Sequence, residues 1–501
     1  MVIKILLLVV FFAGMVAVGI SARRHAVSVS GFVLGGRSVG PWLTAFAYGT
    51  SYFSAVVFVG YAGQFGWKYG LASTWIGLGN AAIGSLLAWV VLGRRTRIMT
   101  QHLGSSTMPD FFEKRFDSKP LKITASVIIF IFLIPYTASI YNGLSRLFEM
   151  AFNIPYAVCV VVMAAFTAVY VILGGYMATA ISDFIQGIIM LFGIVVVVAA
   201  VLSGQGGFMN AVYELAQLPS DAAPTLGQPG AFTAFFGPDP VNLLGVVILT
   251  SLGTWGLPQM IQKFYAIRNE KAVRTGTVIS TVFAVIVSGG CYFLGGFSRL
   301  FDDPAIYGAD GAVVYDSIIP FMLSKLPDIL IGIVVVLVLS ASMSTLSSLV
   351  LTSSSTLTLD LIKGNLWKNM REESQIRTMR VLIAVFVAVS VLLAINPPDF
   401  IAQLMGISWG ALAGAFLAPF LYGIYWKRVT RAAVWASFAC GVGLTVGNLF
   451  FHFIDSAINA GAAAMVLGLV VVPVVSLITP RQPDKRLQEI FSCYEEKTVL
   501  H

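Results

Sequence analysis

Thirteen stretches of the chain stay apolar for about 20 residues each, and that pattern constrains the fold more than any other feature. They run at roughly 2–21, 40–65, 71–93, 123–151, 155–173, 178–202, 241–265, 275–297, 328–358, 378–395, 398–425, 430–453 and 459–479. An apolar helix of about 20 residues crosses the hydrocarbon core of a bilayer, whereas a spanning strand needs about half as many. Backbone groups in lipid must be satisfied within the segment, so runs of this length predict helices. Little is left over for a water-soluble domain. Of 501 residues, 57% are hydrophobic and 11% charged, with a mean hydropathy of +0.87. That balance excludes a soluble enzyme, a nucleic-acid binder and a disordered scaffold. The expected fold is an all-α integral membrane protein of about 13 transmembrane helices.

The cations orient it. Arg23 and Arg24 follow the first apolar run rather than lead it, so that run reads as a membrane helix with its N-terminus outside, not as a signal peptide. Thirteen crossings then place the C-terminus in the cytoplasm. The loops expected inside carry Arg23, Arg24 and Arg37, then Arg94, Arg95, Arg97, Lys114, Arg115, Lys119 and Lys122. Further inside cations are Lys263, Arg268, Lys271, Arg274, Lys363, Lys368, Arg371, Arg377, Arg380, Lys427, Arg428, Arg431, Arg481, Lys485, Arg486 and Lys497. Only Lys4, Lys68, Arg299 and Lys325 fall outside, and Arg146 lies within a run, where pairing with Glu149 at i+3 or snorkelling to the surface is expected rather than a substrate contact. This is a strong positive-inside bias. It explains the net charge of +8 through the anionic inner leaflet, with no nucleic-acid partner.

No catalytic constellation is present. The four histidines lack metal-ligand spacing, and neither H-E-x-x-H nor a phosphate-binding G-x-x-x-x-G-K-[ST] occurs. Cys159, Cys291, Cys440 and Cys493 read as buried free thiols. A polytopic chain of this kind is a transporter or a channel rather than an enzyme.

Two runs contain their own interruptions. The second reads Ala47-Tyr48-Gly49-Thr50-Ser51-Tyr52-Phe53-Ser54, and the seventh Leu252-Gly253-Thr254-Trp255-Gly256-Leu257-Pro258-Gln259. Gly and Pro free backbone groups, which in lipid must face protein, water or a ligand. The interrupted runs are five apart, which implies two inverted five-helix repeats. The corresponding organisation is 1–39 (first helix and inside loop), 40–202 (repeat one), 203–240 (outside loop), 241–425 (repeat two) and 426–501 (two further helices and a short tail). Broken helices at matching places of two halves point to a transporter's central site. The ninth run also ends in a hydroxyl-rich stretch, in which Ala341, Ser344, Thr345 and Ser348 share one helical face. Two uses of that face stay open on spacing alone: oxygen ligands for a small alkali cation, or hydroxyls bonded back to their own helix.

With these residues in place the chain resembles the sodium:solute symporters. The matching features are Leu34-Gly35-Gly36-Arg37-Ser38, Pro109-Asp110-Phe111-Phe112 with Arg115-Phe116, and Gly174-Gly175-Tyr176 through Asp183 and Gln186. Gly256-x-Pro258 and Ala341-x-Met343-Ser344-Thr345-Leu346 complete the set in family order. The resemblance implies a leucine-transporter-type fold and a sodium site made by the carbonyls of Thr50, Phe53 and Ala341 with the hydroxyls of Ser344 and Thr345. It allows a second sodium site from Ser344, Ser347, Ser348 and Asp183. A carboxylate in the first turn of a helix also has a purely structural use in its dipole. The substrate positions it implies are Tyr52, Ser54, Tyr136, Trp255 and Gln259. In proline-carrying members an aspartate lies between the helix-2 sodium ligands. Here that position is Tyr52, as in pantothenate- and acetate-type members.

The expected function is sodium-coupled secondary uptake, by alternating access, of a small carboxylate-bearing organic solute: an amino acid such as proline, pantothenate or a monocarboxylate. A sodium-coupled sugar or sialic-acid symporter is the alternative within the class, and a passive channel or transporter-like sensor the alternative outside it. The expected partners are the solute, co-transported sodium and the lipid bilayer of the plasma (inner) membrane, with no obligate protein partner evident.

Overall fold

The computed structural model describes residues 2–221, 225–396 and 401–495; Lys497, His501 and the opening residues 398–400 of the eleventh expected run lie outside them. Among the described residues the regular structure is helical, with β pairing confined to isolated bridges such as Val39 with Ile267. The helices used below are α1 (Val2–Ala22), α2 (Pro41–Tyr52), α3 (Ala62–Tyr69), α4 (Met108–Phe116), α5 (Lys119–Phe152), α6 (Tyr156–Gly204) and α7 (Pro240–Gly253). They continue with α8 (Pro258–Ala266), α9 (Glu270–Gly295), α10 (Asp328–Thr356), α11 (Glu372–Ile395), α12 (Ile401–Tyr425), α13 (Arg431–Phe451) and α14 (Ala457–Ile478).

Among the described residues 11 helices are long and apolar enough to cross a membrane. The count departs from thirteen in two places. The stretch Val56–His102 joins two expected runs, although Gly70 turns the backbone within it at φ +59°. The run expected at 155–173 opens α6 with the shorter apolar helix Tyr156–Val169, and α6 bends further on, at Gly175. There φ is +56°, and a β-carbon would lie 2.8 Å from the Phe32 ring, so glycine is needed both for the left-handed backbone and for the approach.

Helix ends fall where polar caps border the apolar runs. Thr107, Asn269 and Thr430 each accept a hydrogen bond from the third residue on, and Pro41, Pro240 and Pro258 open their helices. The bundle is arranged around α10. This helix packs against α1, α2, α5, α6 and α11, and every residue from Leu337 to Thr356 is buried. A helix enclosed on all sides has no reason to be amphipathic, so its hydroxyls face protein. Helices α12, α13 and α14 pack on one another, α14 against α7 and α12 against α5.

The cation-rich end differs from expectation in one respect. Several of its cations are tied into the protein rather than facing lipid headgroups. Arg115 is fully buried and donates to Gly423 O (2.8 Å), Gln482 Oε1 (2.9 Å) and Trp426 O (3.2 Å). Lys122 pairs with Asp110 (3.0 Å) and Glu113 (2.8 Å). Lys263, expected with the inside-loop cations, lies on α8 and is only 2% exposed. Arg146 and Glu149 do form their surface pair, at 3.5 Å. The four cysteines are free, with Cys440 half-buried and the others buried.

Candidate functional site

The first break lies between α2 and α3. Phe53 leaves the helix with extended backbone (φ −105°, ψ 118°), and the Val57 amide donates to Ser54 O at 3.1 Å. The chain restarts as a wide π-helical turn, Val56–Tyr61. Helix α10 crosses at this point. Ser344 Oγ donates to Thr50 O (2.9 Å) and approaches Ala341 O (2.9 Å); Thr345 Oγ1 does the same at 3.2 and 3.1 Å. Two carbonyl oxygens and two hydroxyl oxygens therefore converge on one fully buried point. Each hydroxyl has a single proton shared between two acceptors, which leaves the cluster rich in oxygen lone pairs. Oxygen atoms in that arrangement are what a hard cation binds. Phe53 stands at the edge of the same break as the cap of α2. The remaining hydroxyls of α10 divide between the two uses left open by the spacing. Ser347, Ser354 and Ser355 bond back to carbonyls three residues earlier.

The second break lies between α7 and α8. Turn bonds at Thr254–Gly256 end α7, and Leu257 is extended (φ −78°, ψ 123°) before Pro258 starts α8. Close packing against α12 fixes its place. A β-carbon on Gly253 would sit 2.4 Å from the Trp409 ring, and one on Gly256 2.7 Å from Ala413 Cα. Tyr52 stacks on Trp409 (5.8 Å between centroids, 22°) and donates its hydroxyl to Thr250 O, so it bridges the two broken helices. Tyr136 of α5 meets the same indole edge-on at 5.8 Å and 82°. The Gln259 amide, in the first turn of α8, is fully buried with no hydrogen-bond partner for either end. An unpaired buried amide costs about 1–3 kcal/mol, a cost that a hydrogen-bonding ligand would offset. Two other substrate candidates are occupied. Ser54 Oγ accepts from the Val56 amide (3.2 Å), and the Trp255 indole donates to Ile83 O (3.0 Å).

One turn along α10, Ser348 Oγ contacts Ser51 Oγ (2.8 Å) and accepts from Lys263 Nζ (3.0 Å). The same ammonium lies 3.8 Å from Asp183 Oδ2 and 5.2 Å from the centre of the Tyr176 ring. Lys263 and Asp183 are 2% and 0% exposed. Among the residues named for a second sodium, Asp183 and Ser348 thus meet around a lysine. Ser347 turns to Ser344 O (2.8 Å) instead.

A charged cavity of about 620 Å³ opens elsewhere. Its walls include Gln64, Lys68 and Tyr69 of α3, Asn242 and Val246 of α7, and Asp239 and Arg299. Each broken helix therefore contributes one half to a water-accessible recess.

The model of the sodium:solute symporter family matches residues 32–441. The chain belongs to the sodium:solute symporter family. This symporter is 28% identical over 497 residues to the osmoregulated proline transporter OpuE of Bacillus subtilis, covering 97% of each chain. It is 28% identical to the sodium/proline symporter of Escherichia coli (87% and 86% covered) and 29% to that of Staphylococcus aureus (87% and 84%). In fold it matches a Na+-coupled sialic acid symporter solved in its substrate-bound, outward-open state, with a TM-score of 0.78 at 17% identity, over 96% and 98% of the chains. A nucleobase-cation-symport-1 family transporter in a closed conformation matches with a TM-score of 0.52 at 13% identity, over 92% and 98%. The protein is a multi-pass sodium-coupled solute symporter and not an enzyme. The sugar or sialic-acid alternative is not favoured: the solved sialic acid symporter shares the fold, whereas the sequence relatives named here are proline transporters.

Sequence reasoning missed Lys263 and Trp409. A signal for the first was available: Gln259, Gln262 and Lys263 stand at i, i+3 and i+4 after Pro258, a polar stripe inside an apolar run. Trp409 lies in an apolar run where nothing in the spacing sets it apart.

Proposed function

We propose that this symporter imports proline. Sodium is held by the carbonyls of Thr50, Phe53 and Ala341 and the hydroxyls of Ser344 and Thr345. The observation that carries the sodium site is the double convergence of Ser344 and Thr345 on Thr50 O and Ala341 O across the first break. Support for the solute comes from the names of the sequence relatives and from the chemistry beside the breaks. The ring faces of Tyr52, Trp409 and Tyr136 suit a small apolar ring. The N-terminal end of α8 and the free Gln259 amide suit a carboxylate. Tyr52, where proline-carrying members have an aspartate, is the feature that points instead to pantothenate or acetate.

In this reading the two breaks are corresponding points of inverted repeats at 40–202 and 241–425, preceded by 1–39, separated by 203–240 and followed by 426–501. Thirteen crossings of the plasma (inner) membrane place the N-terminus outside and the C-terminus in the cytoplasm. Sodium moving down its gradient closes α10 against α2 and draws the solute with it by alternating access. The test is uptake of L-proline into proteoliposomes with and without an inward sodium gradient. Accumulation is expected only with the gradient, and is expected to vanish in the double variant Ser344→Ala, Thr345→Ala. Accumulation indifferent to sodium would defeat the reading, and sodium-driven uptake of pantothenate or acetate but not proline would replace its solute.

A further inference from the structure

Three observations meet at Lys263. Its ammonium lies 3.0 Å from Ser348 Oγ and 3.8 Å from Asp183 Oδ2, and it faces the Tyr176 ring at 5.2 Å. Both charged groups are buried, and neither Asp183 oxygen has a hydrogen bond. A lone carboxylate in a dry site is strongly unfavourable, and a cation beside it removes that penalty. A sodium ion would need to approach the oxygens of Asp183 and Ser348 closely, and these are the groups the ammonium already contacts. Two cations there would repel and leave an uncompensated positive charge in a medium that screens poorly.

We propose that Lys263 is a tethered substitute for a second sodium: it fills the Asp183–Ser348 position permanently. The inference rests on the sodium-coupled reading of the Thr50–Ser344 site and fixes its stoichiometry at one sodium per solute. The covalent cation never leaves, so it adds nothing to the driving force. Its work is to neutralise Asp183 and, through Ser348 and Ser51, to hold α10 and α8 against the helix that supplies Thr50.

Two measurements test this. In the first, purified protein is melted in detergent at a series of sodium concentrations, with choline keeping ionic strength constant. Each bound ion contributes a fixed free energy per decade of sodium above its dissociation constant. The wild type is expected to show the slope of one ion, Lys263→Ala twice that slope, and the double variant Lys263→Ala, Asp183→Asn one again. In the second, reconstituted wild-type protein is set against opposing gradients of sodium and L-proline at zero voltage. Net flux is expected to stop when a tenfold sodium gradient is balanced by a proline ratio of about tenfold, rather than the hundredfold of two ions. A wild-type slope of two, a hundredfold balance point, or a Lys263→Ala slope no steeper than wild type overturns the proposal. Should Lys263→Ala fail to fold, the wild-type slope decides. Should proline not move with sodium, the proposed function fails while the melting slopes still judge Lys263.

Discussion

Helix α10 carries two buried polar sites a single turn apart, and they solve the same problem in opposite ways. At Thr50, Ala341, Ser344 and Thr345 the atoms are neutral oxygens, their protons shared among too many acceptors. At Asp183, Ser348 and Lys263 a formal negative charge is met by a formal positive one from the same chain. In the proposed reading the first site is completed by sodium from outside and the second by the chain's own lysine. A transporter needs the first kind where coupling occurs. The second kind supplies rigidity beside it without a further ion to bind and release.

This contrast predicts a descending series of effects. The largest follows from Asp183→Asn, which leaves the Lys263 ammonium buried and unpaired. Breaking a buried pair from one side costs about 3–5 kcal/mol. The variant is expected to lose most of its folded yield, and Asp183→Asn with Lys263→Met to regain most of it. A single variant that melts like the parent would mean the two residues are not an energetic unit. Next, Ser344→Ala removes one oxygen of the proposed sodium site. Its half-saturating sodium concentration for uptake is expected to rise about tenfold or more, for a lost contact of at least about 1.4 kcal/mol. Ser347→Ala, whose hydroxyl bonds back to its own helix, is expected to stay within about twofold, and equal shifts in both would erase the distinction between the two kinds of hydroxyl.

Smaller still, Ser348→Ala takes one acceptor from the ammonium. Melting is expected to fall by about 1–2 kcal/mol while sodium affinity in uptake holds. A changed sodium affinity would couple the two sites more tightly than the geometry implies. The smallest effect sharpens the contrast from outside the bundle's centre. Asp110 lies between Lys114 (2.9 Å) and Lys122 (3.0 Å) at the cation-rich end. Burial pushes its carboxyl up, but the attraction of Lys122 and Lys114 prevails and holds it below the usual carboxylate range. The stability it adds is therefore present above about pH 3.9 and lost as the pH falls through the lower folded value. A melting series down to acid pH is expected to decline less steeply in Asp110→Asn than in the parent.

Much of this was legible in the residues themselves. The breaks could be read because Gly49, Gly253, Gly256 and Pro258 interrupt apolar runs, and the hydroxyl face because Ser344, Thr345 and Ser348 recur at helical spacing. The fate of each hydroxyl was not legible. Ser344 and Ser347 are the same residue type three positions apart, yet only one reaches Thr50, because crossing helices decide which side of α10 meets a break. Lys263 was obscured by its neighbours. Arg268, Lys271 and Arg274 follow it, and a cation beside such a group reads as a loop marker. Lys263 is covered in part by the ring of Tyr176, which follows the bend of α6 at Gly175 and lies far from it in sequence. The helix count was blurred around Gly70, since local periodicity does not say whether two apolar runs join or part.

The buried guanidinium of Arg115 carries a consequence for biosynthesis. Its acceptors Gly423, Trp426 and Gln482 stand 308, 311 and 367 positions downstream, so none of them exists when α4 leaves the ribosome. Until they do, Arg115 remains a solvated charge without these partners. Only the arrival of the final helix and the segment behind it retires that charge into the protein, which makes the closing of this end one of the last events in assembly.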